Sequence, residues 1–120
     1  EIGVRLVGSE MCIRDSICSP YRGDTEKNTE KARKYSRFAV ESKAIPMTPH
    51  LLYPQFMDDS NPEERYLATH VINYVLIGKC QEVWVFGEDI SEGMGREIAL
   101  AEKRRMKIRY FTETMEEAKR

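Results

Sequence analysis

The sequence predicts an α/β domain built on a parallel sheet. Three observations carry this. Short apolar runs alternate with longer helix-periodic segments across residues 17–111. The links between them are short and hold Gly, Pro, Ser and Asn, which punctuate secondary structure. The clearest apolar run, Val83-Trp84-Val85-Phe86, is continuous rather than alternating, as suits a strand covered on both faces. Strands separated by helices imply right-handed crossovers and parallel pairing.

Each element has its own local signal. Ile17-Cys18-Ser19 reads as the end of a first strand and runs into the turn Pro20-Tyr21-Arg22-Gly23-Asp24. Over residues 26–43, Ala32, Tyr35, Phe38 and Ala39 recur at three- and four-residue spacing and predict a helix, with Asp24 or Thr25 as its cap. Residues 44–48 predict a short strand. Pro46 cannot donate to a ladder, so this strand belongs at an edge. Residues 49–60 are expected as a long, aromatic loop over a site.

Asn61-Pro62-Glu63-Glu64 is a helix start, with Asn61 as cap and Glu64 able to reach back to it. That helix should run to about Gly78. It is apolar nearly all round from Val71 to Ile77, which predicts burial on more than one side and a subunit interface on the second. Glu82 to Phe86 is the third strand. Ser91 caps a helix to about Arg105, with Ile98, Ala99 and Ala101 inward, and Lys107 to Phe111 is a fourth strand. Glu113 to Arg120 reads as the start of one more helix.

Residues 1–16 behave differently. Gly3, Gly8 and Ser9 break any period, and Arg14-Asp15 places charge where a strand should be apolar. The run from Glu10 to Ser16 resembles the in-frame translation of a sequencing-library adaptor. Residues 1–16 are therefore set apart as a non-native or disordered leader, and 17–120 as the domain.

Composition narrows the function. Hydrophobic residues at 41% and charged residues at 32% describe a folded globular chain rather than a disordered one. A net charge of −1 offers no broad attraction to nucleic acid or an anionic membrane, and no apolar run nears the roughly 20 residues of a membrane helix. Cys12, Cys18 and Cys80 match neither a disulfide framework nor zinc spacing, so a reducing cytoplasm is expected.

Ligands of open parallel sheets bind beyond the carboxyl ends of the strands. Three segments should meet there: Ser19–Asp24, the loop with His50, and Gly87–Gly95. Ser91-Glu92-Gly93-Met94-Gly95 opens a helix whose N–H groups suit a phosphate or a sugar hydroxyl. Its two glycines serve either a close ligand or tight packing on the sheet. Glu97 shares the helix face of Gly93 and Met94, so its carboxylate can enter the cleft. Tyr21 offers a ring for a base and Arg22 a guanidinium for phosphate. Cys18 reads as a small core residue, and His70 as structural.

The motifs Ile17-Cys18-Ser19-Pro20-Tyr21-Arg22-Gly23-Asp24, Pro49-His50-Leu51-Leu52-Tyr53-Pro54-Gln55-Phe56, Val83-Trp84-Val85-Phe86-Gly87 and Ser91-Glu92-Gly93-Met94 together resemble an uncharacterised bacterial and phage branch of the nucleoside 2-deoxyribosyltransferase-like superfamily. The resemblance implies a flavodoxin-like Rossmannoid with a parallel sheet of four to five strands, and a homodimer. It implies cleavage of the N-glycosidic bond of deoxynucleosides or their monophosphates, by an N-glycoside hydrolase or a 2-deoxyribosyltransferase, without cofactor or metal, through a glutamate that forms a glycosyl-enzyme which water or another base resolves. The matching nucleophile is Glu97. Ser91 and Gly93 match the turn that holds phosphate or the sugar's 5′ end, and Ser19, Pro20, Tyr21, Arg22 and Gly23 match the loop that lines the pocket. By their place beyond the strand ends Gly87, Asp89 and Met94 are further candidate contacts, and His50 is either a site group or a satisfied loop histidine. One departure stands out. Active relatives often carry carboxylates where this chain has Asn73 and Gln81, and an amide is no general acid. Asp89 or His70 is the candidate substitute. The alternative function is a non-catalytic nucleotide-binding or sensor module.

Overall fold

The computed structural model describes residues 13–58 and 60–118. Residues 1–12 of the expected leader, Cys12 among them, lie outside that range. The elements in chain order are β1 (Arg14–Cys18), α1 (Thr25–Glu41), β2 (Ile45–Met47), α2 (Pro49–Leu52), α3 (Pro62–Tyr66), a π-helical segment (Leu67–Ile72), α4 (Asn73–Gly78), β3 (Glu82–Phe86), α5 (Glu92–Lys103), β4 (Lys107–Phe111) and β5 (Glu117–Ala118).

The strands form one sheet in the order β2-β1-β3-β4-β5. β1 to β4 are parallel, with Ile17 beside Trp84 and Trp84 beside Arg109. The architecture is mixed α/β, and the sheet is mixed too, because β5 pairs antiparallel with β4. Among the described residues no helix follows Glu113. Instead the chain turns back at Met115, whose φ is +66°, and Thr112 N–H donates to Glu116 O. Arg109 then grips Glu117 with Nε and Nη2, at 2.9 and 2.7 Å, across the two strands.

Strand alternation sends side chains to two layers. Ile17, Trp84, Phe86 and Phe111 meet Tyr35, Ala39 and Ala44 on the α1 side. Tyr35 stacks on Phe86 with centroids 4.2 Å apart. Cys18, Val83 and Val85 meet Met94 and Ala101 of α5 on the other. Each fully buried large side chain contributes roughly 1.5–3 kcal/mol. Asp24 caps α1 by accepting from Lys27 N–H.

Four further expectations change. β1 begins at Arg14, because its backbone fills the slot between β2 and β3 whatever its side chains are. The loop over residues 49–60 contains α2 and a tighter helical turn at Tyr53–Gln55, where Pro49 and Pro54 suit first-turn positions. The helix from Pro62 to Gly78 is not uniform, since six of its residues are π-helical. It is also not buried all round. Asn73 and Ile77 face inward, while Leu67, Val71, Tyr74 and Val75 remain exposed. None of the described helices is long and apolar enough to cross a membrane.

Candidate functional site

The strand order reverses between β1 and β3, so their connections leave in opposite directions and open a crevice at the carboxyl edge. A cleft of about 630 Å³ occupies that place. One wall is the segment after β1 with α2, a second is α3 through α4, and a third is the start of α5.

Glu97 stands in the cleft wall. Its Oε2 accepts a hydrogen bond from the Asn73 amide nitrogen. The two residues are 24 positions apart and come from different helices, α5 and α4. Burial pushes the Glu97 carboxyl above the usual glutamate range. The His50 charge, hydrogen bonds from the Cys18 thiol and Asn73, and the Arg96 charge pull it partly back. Cys18 itself is wholly buried. Burial first, and then the Glu97 charge, holds its thiol well above the usual range. It is thus a protonated thiol, with Sγ donating to Met94 O at 3.9 Å, and not a nucleophile.

Opposite Glu97, His50 Nε2 lies 2.7 Å from Ser19 O, and its ring stacks on Tyr21 with centroids 5.0 Å apart. That bond ties the segment after β1 to α2. Ser19 is 2% exposed, and its hydroxyl meets no partner among the described residues. Ser91 caps α5, its hydroxyl accepting from Met94 N–H at 3.2 Å. The Ser91 oxygen is therefore already engaged in holding the helix start. Met94 reaches the cleft, but its bulk is 2% exposed and packed with Cys18, Val83 and Val85.

Of the residues expected at the site, Ser19, Tyr21, Arg22, His50, Ser91, Gly93, Met94 and Glu97 line one cleft. Pro20, Gly23, Gly87 and Asp89 do not line it. Gly23 and Gly87 adopt φ of +97° and +96°, which their turns require. Gly87 N–H donates to Phe111 O, which steers the following loop toward β4. Asp89 is exposed beyond that loop. Neither glycine of the α5 start is demanded by tight packing. A Cβ at Gly93 would touch only the Arg96 guanidinium at 3.7 Å, and one at Gly95 would meet nothing.

Sequence reasoning singled out only Asn73 and His70 of the middle wall and missed Arg65, Thr69 and Tyr74; all five line the cleft. His70, expected as structural, stacks on Tyr66 with centroids 4.5 Å apart, and its Nδ1 lies 2.8 Å from Thr69 Oγ1. A regular helical wheel hides this wall, because the π-helical segment shifts the phase between Leu67 and Ile72. Gln81 goes elsewhere: its Oε1 accepts from Arg14 N–H at the far end of β1.

A family model described as a domain of unknown function, DUF7768, matches residues 16–111. The chain belongs to this family. The matched span runs from β1 through β4, so every cleft-lining segment of the DUF7768 domain falls within it, and β5 falls outside. Comparison with curated proteins gives no match.

Proposed function

We propose that the domain binds a nucleoside or nucleotide in this cleft and cleaves its N-glycosidic bond, with Glu97 as nucleophile. The observation that carries the proposal is the Glu97 carboxylate held by Asn73 in a cleft at the strand-order reversal. A glutamate there is close to where an α/β sheet seats its ligand. In the first step a Glu97 oxygen bonds to the anomeric carbon. The bond from that carbon to the base nitrogen breaks, and its electron pair leaves with the base, which takes up a proton. In the second step water or another base attacks the same carbon, frees the carboxylate and gives up its proton. This is the two-step logic of retaining glycosidases. His50 and His70 are the imidazoles in reach of the cleft for that proton traffic. Asp89 is not.

The strand order supports the flavodoxin-like reading, with the antiparallel β5 as an addition to it. Tyr53 and Tyr74 offer ring faces for a base, and Arg65 and Arg96 offer positive charge for a phosphate. The reaction calls for no cofactor. The exposed Leu67, Val71, Tyr74 and Val75 favour a homodimer, with the partner seated near the cleft mouth.

The test is base release from nucleosides and nucleoside monophosphates, followed by chromatography. Glu97→Gln should lower it on the order of a thousandfold or more. Undiminished release in that variant removes Glu97 from the role. One observation favours the second reading, a binding or sensor module. Asn73 stands beside Glu97, and an amide cannot protonate a leaving base. Equal ligand binding by both proteins, with no base released, would select that reading.

A further inference from the structure

A base that departs with its electron pair needs a proton, and the amide at position 73 has none to give. Two histidines line the cleft, His50 and His70, and their hydrogen bonds tell them apart. His50 Nε2 lies 2.7 Å from Ser19 O. A carbonyl oxygen has no proton, so Nε2 is the donor and keeps its proton whether the ring is neutral or charged. The proton that His50 can exchange is therefore the one on Nδ1. That nitrogen meets no partner among the described residues, and it is not sealed off as Ser19 Oγ and Asn73 Oδ1 are.

His70 is set the other way round. The Thr69 hydroxyl has one proton and gives it to Arg65 O at 2.9 Å. Its 2.8 Å contact with His70 Nδ1 is then made by the imidazole N–H. Neutral His70 thus carries its proton on Nδ1. Its ring is exposed and lies against Tyr66, itself 60% exposed, on the outer edge of the wall.

His50 stands nearer the reacting centre. Its partner Ser19 directly follows Cys18, whose thiol donates to Met94 O at 3.9 Å. Met94 precedes Glu97 by one turn on the same face of α5. The end of β1 therefore has the imidazole on one side and the start of α5, with its carboxylate, on the other. The electrostatics agree: burial raises the Glu97 carboxyl, and the foremost pull against it is the His50 charge.

We propose that His50 is the general acid and base of this site, working through Nδ1, with the Ser19 carbonyl holding the ring in the one tautomer that leaves Nδ1 for the ligand. The inference rests on Glu97 acting at an N-glycoside. As the bond from the anomeric carbon to the base nitrogen breaks, the electron pair goes to the base and the Nδ1 proton follows it. Neutral Nδ1 then takes a proton from the water that displaces Glu97. The test compares a nucleoside with a nitrophenyl glycoside of the same sugar, whose nitrophenolate leaves without a proton. His50→Gln keeps an N–H for the Ser19 carbonyl and loses the exchangeable site. It should lower the nucleoside-to-nitrophenyl rate ratio about a hundredfold. An equal fall on both substrates marks a structural role and overturns the proposal. So does a fall in that ratio in His70→Gln but not in His50→Gln, or a wild type that cleaves only the nitrophenyl glycoside. Should His50→Gln not fold, nitrogen NMR of the wild-type imidazoles decides. Neutral His50 should be protonated on Nε2 and gain its second proton on Nδ1, and a neutral ring protonated on Nδ1 overturns the assignment. An unchanged ratio in His50→Gln, with release still abolished by Glu97→Gln, leaves the glycosidase reading standing and this one fallen. A wild type that cleaves neither substrate overturns both.

Discussion

Glu97 looks by sequence like any polar position on a surface helix. Its setting is unusual: a carboxyl raised by burial and held by the Asn73 amide. In the proposed reaction it must be ionised to attack. The rate should therefore climb with pH along a limb above the ordinary glutamate range. Asn73→Leu removes a donor to the ionised form and should move that limb higher still, as a pH profile of kcat/KM would show. An unmoved limb would mean that the limb belongs to another group. The sequence made Glu97 legible through the turn that precedes it. Asn73 was legible only as a missing carboxylate, because nothing in residues 61–78 announces a change of helical phase.

At the scale of the element, β1 carries the main anomaly. Asp15 is fully buried on the α1 side of the sheet beside Glu82, and neither of its oxygens has a partner among the described residues. Burial, with the Glu82 charge adding to it, raises its carboxyl to about 7, against the pull of its own backbone and of Arg109. The folded form thus prefers the protonated acid. Stability should be highest at low pH in this respect and fall as pH rises from about 4 to about 7. Asp15→Val should flatten that slope and add about 3 kcal/mol near neutral pH, measured by urea unfolding at several pH values. In α5, Gly95→Ala should stabilise by about 0.5–1 kcal/mol without weakening ligand binding, because a Cβ there meets nothing. Thermal unfolding and a binding isotherm check both halves. Elements with a strong period, α1, β3 and α5, could be read from residues alone. β5 could not, since two paired residues have no period to read and their place is set by Arg109 and the turn at Met115.

For the whole molecule, the parallel order of β1 to β4 followed from alternation, and the antiparallel closure did not. The same holds for the surface. Val71 to Ile77 was expected to be buried on two sides, yet one of those sides is open in the single chain. Leu67, Val71, Tyr74 and Val75 lie three or four residues apart on one stripe, with Arg104 laid over the Tyr74 ring at 4.2 Å. Light scattering should report a dimer, and Val71→Glu with Val75→Lys should yield a monomer that keeps its fold by circular dichroism. A wild-type monomer at tens of micromolar would remove the second copy. The π-helical segment bears on the same region in another way. A π turn is one residue longer than the α turn it replaces. The wider turn takes up that residue, so deleting a single position between Leu67 and Ile72 should let the backbone relax into a plain spiral and leave the downstream phase nearly unchanged. Wound as α-helix with every residue kept, the segment would instead rotate everything downstream by about 100°, carrying Asn73 off its carboxylate and the apolar stripe off its present face. One surplus residue in this helix thereby sets the orientation of the cleft wall and of the outer surface together.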